Sequence, residues 1–86
     1  MVTVQWTKKA LKQLLSIDTR YRKVISAKVN QLEHFPAVML DIKKLHACSS
    51  QYRLRVGDYR VIFDIADGEP VICSITAVKR RTSSTY

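Results

Sequence analysis

The 86-residue chain lacks the features that mark several large classes of protein. No apolar run approaches the roughly 18–20 residues that a membrane span needs. The residues after Met1 alternate as in a strand and do not resemble a signal peptide. The sequence also contains no repeat, linker or low-complexity block. We therefore expect a single domain over residues 1–86 that resides in the cytoplasm.

Cysteine is scarce, and its spacing excludes the common metal motifs. Cys48 and Cys73 stand alone, so we expect reduced thiols, with Cys73 in a strand, rather than a disulfide or a metal site. His34 and His46 lie outside the predicted sheet, and we interpret both as structural or surface residues. The sequence predicts neither a metal nor a cofactor.

Acidic residues are also few. Seven Asp and Glu stand against fifteen Lys and Arg, which gives a net charge of +8. Such an excess on a small surface attracts polyanions. Nucleic acid is the first candidate, and a membrane surface or an acidic protein is the second. Charge alone does not separate these partners.

The first half of the chain shows one strand and two helices. Val2, Val4 and Trp6 alternate with polar residues and predict the strand. Thr7 is placed to cap a helix whose inward residues are Ala10, Leu11, Leu14 and Leu15. Asp18 or Thr19 begins a second helix, which Pro36 ends. Its apolar stripe is Tyr21, Val24, Ile25, Val29 and Leu32.

The second half predicts a three-stranded antiparallel meander after an irregular stretch over residues 37–50. Gly57-Asp58 is a type II′ turn signal between the first two strands, and Asp67-Gly68 is a type I′ signal before a last strand from about Glu69 to Val78. The predicted fold is α+β. An N-terminal strand and a two-helix hairpin pack on the meander, giving a four-stranded sheet in the order β-α-α-β-β-β.

The predicted turns set the register of the sheet and so decide which side chains share a face. Arg55 falls opposite Arg60, and pairing of Ala66 with Glu69 places Arg60 opposite Ile75. The helix-facing side then collects Tyr52, Leu54, Val56, Tyr59, Val61, Phe63 and Ile65. The opposite side carries Arg53, Arg55, Arg60, Ile62, Val71, Cys73 and Ile75.

Like charges directly opposite each other are unfavourable in a sheet, and such conflicts are expected at functional sites. A phosphate between Arg55 and Arg60 would relieve the repulsion. The alternative is a solvated face neutralised by Asp64. The later run Lys79-Arg80-Arg81 is either part of the site or a charged tail. Strict alternation places Arg80 on the helix side, so a functional Arg80 requires a bulge or turn after Val78.

The hairpin from Tyr52 to Phe63, YRLRVGDYRVIF, resembles the strand–turn–strand signature of the RelE/ParE toxin superfamily. The ending from Ala77 to Tyr86 resembles that of RelE toxins, in which a Lys-Arg pair is followed six residues after the Arg by a Tyr. The predicted N-terminal strand and helix pair also resemble those of the superfamily. The resemblance therefore covers essentially the whole chain.

The resemblance implies a set of site residues. The candidates for catalysis are Arg53, Arg55, Arg60, Arg80 and Tyr86. Apart from the resemblance, the basic residues Lys79, Arg81, Lys43 and Lys44 are candidates for RNA binding. This sequence has a shorter hairpin loop than RelE, and it has Arg where RelE has Lys on the second strand of the fold. Arg holds its charge more firmly, which argues against proton transfer by these residues.

The resemblance also implies an activity. A metal-independent endoribonuclease would cut mRNA in the ribosomal A site and inhibit translation. An RNA 2′-hydroxyl would attack the adjacent phosphate, with Tyr86 as the base or as a stacking residue. The implied partners are a cognate antitoxin, the ribosome and mRNA, and no membrane. Three alternatives stay open: a ParE-like inhibitor of DNA gyrase, a non-catalytic nucleic-acid-binding module, and a degenerate toxin kept in complex with its antitoxin.

Overall fold

The computed structural model describes residues 2–46 and 50–80. It contains two α-helices, one short 3₁₀ helix (Gln31–His34) and five strands. In chain order the others are β1 (Val2–Trp6), α1 (Lys8–Leu15), α2 (Thr19–Asn30), β2 (Ile42–Lys44), β3 (Gln51–Val56), β4 (Tyr59–Ala66) and β5 (Val71–Arg80). No helix in the described part of the chain is long and apolar enough to cross a membrane.

The strands form one mixed sheet in the order β1-β5-β4-β3-β2. β1 runs parallel to β5, and the other neighbours are antiparallel. The α+β class is confirmed, but the predicted count of four strands was wrong. The fifth strand, β2, lies in the stretch predicted to be irregular. At three residues it is too short for alternation to reveal it.

Both predicted helix starts are confirmed. The Thr7 hydroxyl accepts a hydrogen bond from the Ala10 N–H at 3.2 Å and donates one to the Ile75 carbonyl at 2.8 Å. The Asp18 carboxylate accepts from the Arg20 N–H at 2.9 Å. Each cap satisfies a helix N–H that has no partner within the helix. Helical backbone ends at His34, before Pro36 as predicted.

The core lies between the helices and one face of the sheet. Its fully buried members include Ile25 and Leu32 from the helical half and Leu54, Val61 and Phe63 from the strands. Four side chains predicted to face inward are instead 44–56% exposed: Leu11, Leu15, Tyr21 and Val24. The two helices form a single layer, and each contacts the sheet through only part of its apolar stripe. The residues at the edges of the stripes therefore remain at the surface.

The first hairpin has the predicted register, and the second does not. Val56 pairs with Tyr59 and Arg55 with Arg60. In the second hairpin Ala66 pairs with Ile72 rather than Glu69. The chain passes through Pro70, which has no N–H to donate, before β5 begins at Val71. No residue of the described chain other than glycine has a positive φ, so Asp67 does not form the predicted type I′ turn.

A bulge in β5 then changes the pairing again. Ile62 pairs with Ala77 and Phe63 with Ile75, which leaves Thr76 as the extra residue. Arg60 therefore pairs with Lys79, not with Ile75. Cys73 and Ile75 are fully buried on the helix side, and Val71 packs against the same core. Their predicted position on the arginine side was wrong.

Candidate functional site

Three arginines lie on the sheet face that carries no helix. Arg53 and Arg55 come from β3 and Arg60 from β4, and we call them the arginine cluster. Together with Gly57 and Tyr59 they line a small cavity of about 80 Å³. The predicted opposition of Arg55 and Arg60 is confirmed by the strand register. The two guanidiniums are thus attached to directly facing backbone positions at one end of the sheet.

The tight turn between β3 and β4 holds this arrangement. Gly57 has φ of +58°, a conformation that L side chains rarely adopt, whereas Asp58 has an ordinary negative φ. This combination fits the predicted type II′ turn. Because the loop contains only two residues, it fixes the register that brings Arg55 opposite Arg60.

The arginine cluster has no ion-pair partner among residues 2–46 and 50–80. The ion pair there joins Arg20 to Asp18, and the His34 Nε2 lies 3.3 Å from a carboxylate oxygen of Glu33. Asp64, the residue proposed to neutralise the cluster, accepts a hydrogen bond from the Ser50 hydroxyl instead. The buried Nε of Arg53 has no hydrogen-bond partner within the described chain. Guanidiniums that share an open face without an acidic partner are suited to bind an anionic ligand.

Two lysines extend the cluster from neighbouring strands. Lys43 of β2 pairs with Arg53, and Lys79 of β5 pairs with Arg60. Side chains of directly paired residues project from the same face. Both lysines, predicted as RNA-binding residues, therefore lie on the face of the arginine cluster. Lys43 lay in a stretch with no predicted strand, so its position next to Arg53 had no signal in the sequence.

Lys44 and Arg80 lie on the other face, so Lys44, predicted as an RNA-binding residue, is separated from the face that the arginine cluster shares with Lys43 and Lys79. Lys44 pairs with Tyr52, and its Nζ lies 5.9 Å from the centre of that ring. Arg80 pairs with Tyr59 and lines a cavity of about 440 Å³ that also includes Asp18 from the loop between the helices. The β5 bulge precedes Val78, so it does not bring Arg80 to the arginine cluster. The catalytic role of Arg80 stays a prediction.

The remaining predicted site residues, Arg81 and Tyr86, lie outside the described residues, as does Cys48. Cys73 is buried, and burial together with the nearby Asp64 charge raises the pKa of its thiol to about 11. A thiol held in the protonated form is a poor nucleophile. Within residues 2–46 and 50–80, no group of three or more His, Cys, Asp and Glu side chains could hold a metal ion.

Comparison with known proteins gives one family and one fold. The model of the family "ParE toxin of type II toxin-antitoxin system" matches residues 4–84. A comparison with curated protein sequences found no significant match.

Several solved structures are similar over nearly the whole chain. The archaeal RelE–RelB complex from Pyrococcus horikoshii has a chain with 26% identity and a TM-score of 0.79, covering 96% of this chain and 98% of that one. The RelBE2 toxin–antitoxin complex from Mycobacterium tuberculosis has one with 25% identity and a TM-score of 0.75, covering 92% and 96%.

The isolated RelE toxin from Escherichia coli has the same fold, with a TM-score of 0.78 at 19% identity over 96% of this chain and 87% of that one. The family match spans both halves of the molecule, from β1 to beyond the end of β5. The chain therefore belongs to the RelE/ParE superfamily and is a toxin of a type II toxin–antitoxin system.

Proposed function

We propose that this toxin is a metal-independent endoribonuclease that cuts mRNA in the ribosomal A site and so inhibits translation. The observation that carries the proposal is the arginine cluster. Its guanidiniums share one open face of the sheet, and no carboxylate of the described residues pairs with them. Forked guanidinium donors match the geometry of a phosphate.

The chemistry is attack of an RNA 2′-hydroxyl on the adjacent phosphorus. The bond from phosphorus to the 5′-oxygen of the next nucleotide breaks, which leaves a 2′,3′-cyclic phosphate and a free 5′-hydroxyl. Arg55 and Arg60 stabilise the extra negative charge of the pentacoordinate phosphorane. Preorganised charge of this kind is usually the largest catalytic contribution.

The proton transfers are assigned to residues at the end of the chain. Tyr86 removes the 2′-hydroxyl proton, or it stacks on a nucleobase while water takes that proton. Arg80 shields the leaving 5′-oxygen, which takes its proton from water. Since Arg80 is paired with Tyr59 on the helix side, its side chain has to reach around the end of the sheet to contribute. The arginine cluster itself contains no good proton donor, because arginine stays protonated at neutral pH. Weak cleavage of free RNA and dependence on the ribosome follow from this.

A cognate antitoxin is the proposed inhibitor. The similar chains from Pyrococcus horikoshii and Mycobacterium tuberculosis were both solved in toxin–antitoxin complexes. An acidic segment of the antitoxin would complement the net charge of +8 and cover the arginine cluster. Inhibition would then result from exclusion of the RNA phosphate.

Substitution of Arg60 tests the nuclease proposal. We expect Arg60→Ala to reduce mRNA cleavage in a translating bacterial extract at least about 100-fold, the usual loss for one charge-stabilising group. Tyr86→Phe is expected to abolish cleavage if Tyr86 is the base and to leave it measurable if Tyr86 only stacks. Primer extension on a translated transcript gives the cleavage rate.

Arg20→Ala is the matched control, because Arg20 is an exposed arginine on α2 and lies outside the cluster. It should cut at the rate of the unaltered toxin. Circular dichroism of each variant establishes that the fold is retained. Normal cutting by a folded Arg60→Ala variant would end the proposed site.

Inhibition of DNA gyrase is the second candidate function, because the family model that matches is that of ParE toxins. It ranks lower because ParE members lack the full basic and tyrosine ending that this sequence carries from Lys79 to Tyr86. Gyrase supercoiling with purified toxin separates the two. The nuclease proposal expects normal supercoiling at toxin concentrations that cut translated mRNA. Inhibited supercoiling without cleavage of translated mRNA would favour the inhibition of gyrase as the function.

A further inference from the structure

We propose that Lys43 and Arg53 form a second phosphate subsite, beside the Arg55–Arg60 pair, which positions single-stranded RNA for cleavage. The inference rests on the proposed nuclease function and deepens it, because it names the part of the substrate that β2 contacts. Lys43 is a positioning residue here. It binds the phosphate next to the scissile one and takes no part in the bond changes.

The strand register places the two pairs one step apart along β3. Lys43 of β2 faces Arg53, and Arg60 of β4 faces Arg55. Neighbouring strands lie about 4.7–4.9 Å apart, and residues i and i+2 of a strand lie about 6.6–6.8 Å apart on one face. The centres of the two pairs are therefore offset by one strand spacing and one such step, about 8 Å along the diagonal. Long lysine and arginine side chains can close on two consecutive phosphates of one strand across that offset.

The surroundings of this pair favour an anion. Arg53 is half-buried and forms no ion pair with the described residues, and Lys43 is exposed. The nearest acidic residue in sequence, Asp41, accepts the Arg55 N–H through its backbone oxygen at 2.9 Å. Its carboxylate forms no ion pair with the cluster. The positive charge of Lys43 and Arg53 is thus available to a ligand.

The adjacent lysine provides an internal comparison. Lys44 carries the same charge, is also exposed and belongs to the same three-residue strand. It lies on the helix side, over the ring of Tyr52. A nonspecific effect of charge would therefore be nearly the same for Lys43 and Lys44. Of these two lysines, the phosphate subsite requires only Lys43.

The first experiment measures binding without cleavage. The probe is a fluorescein-labelled hexauridylate with 2′-O-methyl riboses, which have no attacking hydroxyl, and anisotropy gives Kd for the full-length toxin. A salt series from about 50 to 200 mM KCl gives the slope of log K against log salt, which changes by about 0.7 for each phosphate contact on a single strand. We expect Lys43→Ala to reduce the magnitude of this slope by about 0.7 and Lys44→Ala to leave it unchanged.

The second experiment measures cleavage in the translating extract at increasing ribosome concentration. We expect Lys43→Ala to raise the half-saturating ribosome concentration several-fold while the rate at saturation stays unchanged. Lys44→Ala should match the unaltered toxin in both quantities. A merely structural role of Lys43 would instead lower the melting temperature, which is measured in parallel.

The outcomes separate the subsite from the nuclease proposal. Equal slopes for Lys43→Ala and Lys44→Ala, or no binding of the probe by the unaltered toxin, would overturn the subsite. Unequal slopes together with an absence of RNA cleavage would retain the subsite and remove the nuclease. A loss of saturated cleavage rate in a folded Lys43→Ala variant would contradict the positioning role, because it would place Lys43 in the chemical step.

Discussion

Arg55 and Arg60 occupy directly opposed positions on neighbouring strands, and Arg60 also faces Lys79 on its other side. Like charges directly opposite each other destabilise a sheet. A surface selected only for stability would not concentrate them in this way. The phosphate site proposed above would account for the arrangement.

Cys73, in contrast to the arginine cluster, lies in the hydrophobic core. Its thiol is fully buried, and its pKa is raised from 9.0 to about 11. The folded protein thus binds this proton more tightly than the unfolded chain does. The resulting stabilisation is complete below about pH 9 and is lost as the pH rises from about 9 to 11.

We therefore predict that Cys73 resists alkylation in the folded protein. In a Cys48→Ser background, where Cys73 is the remaining thiol, iodoacetamide at about pH 8 should label the native protein far more slowly than the urea-unfolded protein. Between about pH 9 and 11 the free energy of unfolding should fall more steeply than in the same background with Cys73→Ala. Equal labelling rates for native and unfolded protein would show that the thiol is accessible and contradict its burial.

Among the elements, the β3–β4 hairpin controls the site, because its two-residue turn fixes the register of all three arginines. Helix α1 is linked to β5 by a long-range hydrogen bond, which the Thr7 hydroxyl donates to the Ile75 carbonyl. The Gln13 side chain adds a second link by accepting the Val78 N–H at 2.7 Å. Short polar contacts at the element ends thus fix how the helices and strands meet.

Gly57→Ala tests the turn. A Cβ at this position meets no atom within 4 Å, so its cost is conformational and arises from the φ of +58°. We expect a loss of about 1–2 kcal/mol in the free energy of unfolding, measured by urea denaturation. Asp58→Ala in the same turn, at a negative φ, should cost less than about 0.5 kcal/mol. Equal losses for the two variants would argue against the type II′ turn.

At the scale of the whole molecule, the helices and the core occupy one side of the sheet, and the arginine cluster with Lys43 and Lys79 occupies the other. The net charge is +8, and the described part of the chain contains few ion pairs. Repulsion among the cations therefore opposes folding at low ionic strength. The same charge distribution leaves one face open for a polyanion.

Salt should therefore stabilise the free toxin. Between about 10 and 150 mM NaCl the Debye length falls from roughly 30 Å to roughly 8 Å, which screens the repulsion. We expect the free energy of unfolding in urea, an uncharged denaturant, to rise over this range. The rise should be smaller in an Arg55→Gln, Arg60→Gln double variant. A decrease with salt would mean that attractive pairs dominate the folded state.

Local signals in the sequence predicted much of the architecture. The caps at Thr7 and Asp18, the Gly57-Asp58 turn and the alternation along β3 and β4 each depend on residues close together in the chain. The opposition of Arg55 and Arg60 follows from that turn alone, so it was predictable. The superfamily was also recognisable, because its hairpin signature is continuous in sequence.

Long-range pairing decided the rest. β2 exists because three residues pair with β3, which places Lys43 beside Arg53 and Lys44 on the other face. The loop through Pro70 and the bulge at Thr76 set the register of β5, and with it the partner of Arg60 and the side on which Cys73 and Ile75 lie. The sequence by itself thus determined the hairpin that carries the arginines, since a two-residue turn leaves one register. Only the tertiary structure decided which lysines join them, because a strand takes its face and register from its neighbour.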